Sequence, residues 1–141
     1  KNFSEKTLEK IIEAVKTRMK KLSDVTELTD FFFKEKLEYD KNLLAWQTMG
    51  DGEVKESLER SYHTFKTFKK YITKDLEGVF FKEAENFNRE KGHPIENRGY
   101  LLWPLRVALS GKQASTGPFE IAEILGKEKT LQRIQSAIDK V

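Results

Sequence analysis

The chain contains no cysteine among its 141 residues, which excludes disulfide frameworks, thiol nucleophiles and cysteine-ligated zinc. Histidine is almost as scarce, with only two, His63 and His93. They stand far apart, so a histidine-rich metal site is not expected. No apolar run approaches the roughly twenty residues that a membrane-spanning helix needs, and no apolar h-region of a signal peptide opens the chain. The chain begins on Lys1 rather than Met, as expected of a piece of something longer. Neither sign of charge dominates. Lys plus Arg is 26 against Asp plus Glu at 23, giving +3 and a pI near 9.0, a balance that permits an anionic partner without demanding one.

What is present reads as globular. Hydrophobic residues make up 38%, aromatics 11% and charged residues 35%, enough for one sizeable core in one compact domain or two small subdomains. Apolar residues recur at three-and-four spacing almost throughout, and no stretch alternates with period two between hairpin turns, so the class is all-α. Leu8, Ile11, Ile12, Val15, Met19 and Leu22 form the first buried stripe, with Lys6, Lys10, Lys16, Arg18, Lys20 and Lys21 on a basic outer face. Ser23 and Asp24 end it, and Asp24 with Glu27 forms a capping box. A short helix then carries Val25, Leu28, Phe31 and Phe32 into an aromatic cluster completed by Phe33. Residues 34–40 read as a loop before a short amphipathic stretch with Leu43, Leu44 and Trp46.

Gly50-Asp51-Gly52 is the strongest breaker of the first half. Beyond it Val54, Leu58, Tyr62, Phe65, Phe68 and Ile72 share a helical face. The next helix, capped by Thr73 or Asp75, buries Leu76, Val79, Phe80, Ala84 and Phe87 and stops at Gly92-His93-Pro94. Pro104 suits the first position of a helix and biases Trp103 towards extended backbone, so a helix is expected from Pro104 to about Ser110, with Gly111 as its stop. Residues 112–117 form a polar loop. Pro118 opens another short helix through Ile121, Ile124 and Leu125, ended by Gly126, and a last helix turns Leu131, Ile134, Ile138 and Val141 inward. A subdomain boundary is placed at 74/75.

Catalytic patterns are missing. The histidines belong to no triad motif and no Gly-x-Ser-x-Gly elbow occurs. Gly111-Lys112 and Gly126-Lys127 lack both the glycine five residues earlier and the following Ser or Thr of a phosphate loop. Carboxylates are scattered over predicted polar faces, where solvation accounts for them.

The most distinctive run is Trp103-Pro104-Leu105-Arg106-Val107-Ala108-Leu109-Ser110-Gly111. With Gly117-Pro118-Phe119-Glu120, the Leu125-Gly126-Lys127-Glu128 turn and Arg133-Ile134, it resembles the C-terminal anticodon-binding region of bacterial-type glutamyl-tRNA synthetases. Arg18-Met19-Lys20-Lys21-Leu22-Ser23-Asp24, followed by Thr29-Asp30-Phe31-Phe32-Phe33, extends the resemblance upstream in collinear order. It implies two packed helical subdomains, residues 1–74 and 75–141, that grip the anticodon loop of tRNA-Glu. It further implies a cytoplasmic, monomeric class I ligase whose own catalytic domain, absent here and expected upstream, uses ATP and magnesium. This chain by itself is then expected to bind no cofactor and to be inactive.

The resemblance assigns the RNA contacts to Arg18, Lys20, Lys21, Arg106, Gly111, Lys112, Ser115, Thr116, Gly117, Pro118 and Phe119. Arg18 would sense the third anticodon base, Lys16, Lys20 and Lys21 would meet phosphates, and the 112–119 loop would meet the first two bases. The chemistry suits the task, because splayed anticodon bases are stacked on aromatic or guanidinium planes and hydrogen-bonded along their edges. Ordinary alternatives stand beside each role. Arg106 could pair with a carboxylate, Arg18 could be one more solvated charge, and Ser115 or Thr116 could cap a helix. Phe119, cast as a wall of the base site, is bulkier than the residue many relatives carry there. Trp46 and Trp103 read as core residues, Trp103 nearer the binding face, and His93 as a turn residue. The rival readings of the chain are a helical protein-interaction module and a free-standing tRNA-binding protein.

Overall fold

The computed structural model describes residues 5–15 and 29–141. The helices are α1 (Glu5–Val15), α2 (Asp51–Lys66), α3 (Thr73–Lys91), α4 (Gly99–Ser110), α5 (Pro118–Leu125) and α6 (Lys127–Lys140), with single 3-10 turns at Asp30–Phe33 and Lys41–Leu44. No strand occurs among the described residues, as the periodicity predicts. The expected capping box at Asp24 and Glu27, and the apolar positions Met19, Leu22, Val25 and Leu28, lie outside them.

One apolar cluster runs from Ile11 to Ile138 and crosses the 74/75 position. α2 packs on α4 and α6, and α3 packs on α4 and α5. The stripes largely follow the spacing: Val54, Leu58 and Phe65 of α2, and Leu76, Phe80, Ala84 and Phe87 of α3, are buried. Val79 is not. It is 42% exposed because, at about 100° per residue, it falls on the flank of the arc set by Leu76, Phe80 and Phe87. Leu8 and Ile12 are likewise 41% and 50% exposed, with Ile11 at 2%. α1 meets α5 along a narrow seam, which covers one row of side chains rather than a wide stripe. Phe31 and Phe32 are buried while Phe33 turns outward, since a tight 3-10 turn spreads consecutive residues around its axis. Ile72, just ahead of α3, is also exposed.

The helix ends divide into those closed locally and those closed from a distance. Gly92 and Gly111 take left-handed backbone at φ 77° and 73° and stop α3 and α4, the conformation glycine adopts without steric cost. The start of α3 is different: neither Thr73 nor Asp75 caps it with its own side chain. The Thr73 N–H and hydroxyl both donate to Glu123 Oε1, at 2.8 and 2.9 Å, so the capping carboxylate arrives from α5. Burial raises the Glu123 pKa, but these two bonds and the Lys10 ammonium outweigh it and hold the carboxyl below its usual range.

α4 departs most from expectation. It begins at Gly99, a full turn before Pro104, which sits inside it, and Trp103 is helical rather than extended. A proline there has no N–H for the carbonyl four residues earlier, that of Tyr100. The hydroxyl of Ser57, on α2 and fully buried, donates to that carbonyl at 2.9 Å. A partner outside the helix thus satisfies the group that proline leaves open, and the helix extends through the proline. Gly99 permits the first turn to lie against Trp46, because a Cβ there would stand 2.6 Å from the indole.

The other end of α4 is held by Arg133 of α6, which is only 5% exposed. Its Nη1 donates to Leu109 O at 2.6 Å, and Nη2 to Phe31 O and Lys34 O at 2.7 and 2.9 Å. Burial pushes the guanidinium pKa down to about 10, with Tyr39 acting in the opposite sense. Burial likewise lifts the Tyr39 phenol to about 12, partly offset by Arg133.

Candidate nucleic-acid interface

Because α4 starts at Gly99, Trp103 and Arg106 stand one helical turn apart on the same face. The Arg106 guanidinium carbon lies 5.1 Å from the centre of the Trp103 ring, within the range of cation–π attraction. Its Nη2 donates to the Gln113 carbonyl at 2.7 Å. The Trp103 indole N–H donates to Leu43 O at 2.9 Å, tying the ring to the 3-10 turn before α2. Beside this group is a cavity of about 270 Å3, lined by Trp46, Leu102, Trp103, Arg106, Gly117 and Pro118 among others. Indole faces, a guanidinium and the backbone opening α5 make it apt for a flat, hydrogen-bonding ring, while helix N-terminal amides favour negative charge.

The loop from Gly111 to Gly117 is built around its own backbone. Gly111 is close to Tyr39 as well as left-handed, with a hypothetical Cβ 3.3 Å from that ring. Ser110 donates its hydroxyl to Arg106 O at 2.8 Å and accepts from Lys112 N at 3.1 Å. Lys112 pairs with Asp30 at 2.6 Å and lies over the Phe31 ring, so its ammonium anchors the loop to the turn at 30–33. Gln113 and Ala114 form the exposed tip.

Three of the expected contact residues are buried. Phe119 is 4% exposed, with its ring 5.1 Å from Phe80 and 6.2 Å from Phe81. It is a core residue of the α3–α5 contact rather than a wall of the cavity, because the second position of α5 faces inward. Ser115 and Thr116 are buried too. The Ser115 hydroxyl donates to Thr116 O at 2.8 Å, and the Thr116 hydroxyl donates to Ala14 O at 2.9 Å. Their side chains tie the loop down, and neither caps α5, whose N-cap is Gly117 without a side-chain bond. Ser115, Gly117 and Pro118 all line the cavity. Arg18, Lys20 and Lys21, with Lys16, lie outside the described residues.

His93 is a turn residue, as expected, and is also fixed: its ring stacks on Tyr100 at 3.5 Å and it pairs with Glu53. Among the described residues no group of three or more histidine, aspartate or glutamate side chains could hold a metal ion. No helix of the described residues is long and apolar enough to cross a membrane.

Sequence reasoning passed over Ser57 and gave Arg133 no role beyond its place in the motif; Trp46 and Trp103 do pack against the core, as read, and also line the cavity. A signal existed for the first two. Ser57 lies in the buried stripe of α2 beside Val54 and Leu58, and Arg133 in that of α6 beside Thr130, Ile134 and Ala137. A polar side chain on a buried stripe needs a partner, and here each partner is a carbonyl on another element.

Fold and site together define an all-helical domain with one aromatic, cationic face at a helix N-terminus. The chain belongs to the anticodon-binding domain family, whose model matches residues 1–138. It is 38% identical over 137 residues to a glutamate–tRNA ligase of Clostridium botulinum, covering 94% of this chain and 26% of that protein. To the glutamate–tRNA ligase of Clostridium acetobutylicum it is 36% identical, covering 95% and 27%. A crystal structure of a glutamate tRNA ligase from Elizabethkingia meningosepticum, in complex with its amino acid, has the same fold. The TM-score is 0.74 at 22% identity, over 98% of this chain and 26% of that one. The chain thus spans about a quarter of the length of the relatives it matches.

Proposed function

We propose that this domain reads the anticodon loop of tRNA-Glu on behalf of a glutamate–tRNA ligase. The observation that carries the reading is Arg106, held beside a cavity with two indoles at the opening of α5. The guanidinium offers a planar set of donors to a base edge or phosphate, and the cavity beside it has room for an unpaired base. Gly111 supports this by its backbone geometry, Gly117 and Pro118 by lining the cavity, and Lys112 by anchoring the loop. Arg18, Lys20 and Lys21 keep the roles the resemblance gives them, as third-base sensor and phosphate contacts.

In this reading the domain is the C-terminal part of a monomeric cytoplasmic ligase. ATP, magnesium and the attachment of glutamate belong to that enzyme's catalytic part, and the isolated chain does not aminoacylate. The rival reading as a protein-interaction module has no observation of its own in its favour.

The test is a titration of the tRNA-Glu anticodon stem-loop against the wild-type chain and Arg106→Ala, repeated at rising salt. Binding should weaken with salt because phosphate contacts release counterions. The variant should bind about tenfold more weakly, the usual cost of losing one good base contact. Equal binding by both proteins would remove Arg106 from the interface, and no binding by either would remove the reading itself.

A further inference from the structure

We infer that Trp103 is a positioning residue, which acts on RNA through Arg106 and the 112–117 loop rather than by touching a base itself. This rests on the RNA-reading role proposed above.

A long guanidinium-tipped chain loses rotamer freedom when it is fixed, so an arginine that contacts a base gains affinity if it is already ordered in the free protein. Among the contacts of Arg106, two restrain it in different ways. Its Nη2 is bonded to Gln113 O at 2.7 Å, which sets one edge. Its guanidinium lies 5.1 Å over the Trp103 ring, which sets the face. The ring is itself fixed, because its N–H donates to Leu43 O at 2.9 Å. A relay therefore runs from the Leu43 carbonyl through the Trp103 indole and the Arg106 guanidinium to the Gln113 carbonyl. It joins the 41–44 turn, α4 and the tip of the 112–117 loop, three segments that no backbone hydrogen bond joins at this point.

A structural residue would stabilise the fold and leave binding otherwise unchanged. A base platform would contribute whether or not Arg106 is present. A positioning residue does neither: its effect vanishes once Arg106 is gone. That property is measurable as a double-mutant cycle.

The experiment compares wild type, Trp103→Leu, Arg106→Ala and the double variant in two measurements. The first is affinity for the anticodon stem-loop at fixed salt. Trp103→Leu should weaken it about tenfold, a loss in the range of one cation–π contact together with the order it confers. The double variant should bind no more weakly than Arg106→Ala alone. If Trp103→Leu costs the same factor in both backgrounds, or costs nothing, the inference is overturned while the RNA-binding reading stands. The second measurement needs no RNA: amide hydrogen exchange at residues 112–117. Trp103→Leu and Arg106→Ala should each speed exchange there, and the double variant should add nothing further. Unchanged loop exchange in Trp103→Leu would overturn the inference even if no RNA bound. Trp103→Phe keeps an aromatic face without the N–H bond to Leu43, and should retain most of the affinity. If Trp103→Leu does not fold, Trp103→Phe and Trp103→Met carry the same cycle, with the loss expected only in Met.

Discussion

α4 and α5 are neighbours in sequence and in space, and both carry a proline and end on a glycine, yet they accommodate the proline by opposite means. α5 follows local rules from end to end. Gly117 is extended at φ −65° and ψ 153°, Pro118 is the first helical residue, and Gly126 closes the last turn with its N–H on Ala122 O. α4 is stopped locally by Gly111 but takes further donors from other helices. Its Pro104 leaves the Tyr100 carbonyl without a helical donor, and Ser57 supplies one; Arg133 reaches Leu109 O near the other end. The difference shows that a proline is a helix start only where the turn before it stays unbonded. Where a buried hydroxyl stands ready, the same residue is carried in the interior.

Substitutions sharpen this contrast. The largest effect is expected from Arg133→Met, which strips two buried carbonyls and a half-buried one of their donor. A stability loss of about 3 kcal/mol should follow, since each unsatisfied buried group is costly. Urea unfolding followed by circular dichroism measures it, and a loss below ~1 kcal/mol would mean that α4 closes without α6. Ser57→Ala should cost about 2 kcal/mol by orphaning the Tyr100 carbonyl. Pro104→Ala restores an N–H to that carbonyl, so in this background the Ser57→Ala cost should fall below ~1 kcal/mol. An undiminished cost would show that Ser57 serves some purpose other than relieving the proline. Pro118→Ala should be mildest, lowering the melting free energy by about 0.5 kcal/mol through the greater freedom of the unfolded chain. No coupling between Pro118→Ala and Ser57→Ala is expected, and a measurable one would break the contrast.

The legibility of the molecule follows the same division. Helix stops at Gly92, Gly111 and Gly126, and the start at Pro118, were readable because each depends on the backbone preferences of one or two residues. The all-α class was readable because its period is repeated in every element. Exposure of Leu8, Ile12 and Val79 was not, since periodicity identifies a stripe but not how much of it a neighbour covers. Nor was the inward turn of Ser115, Thr116 and Phe119, because a polar loop and an apolar residue after Gly-Pro look alike whether they face solvent or core. At the candidate site, Arg106 stood out in the motif that carried the resemblance. Its companionship with Trp103 did not, because the expected helix start at Pro104 placed the two residues on different elements.

By itself, then, the sequence determined the helical class, most helix boundaries and the family, and put Arg106 forward as a candidate, since all of these depend on short-range spacing and on motifs read in order. The tertiary structure decided where α4 begins, which loop side chains face inward and what surrounds Arg106. The physical reason is the same in each case. A buried carbonyl or hydroxyl is costly to leave unpaired, and the partners here, Ser57 for Tyr100, Arg133 for Leu109 and Thr116 for Ala14, lie far away along the chain and meet only when the helices pack.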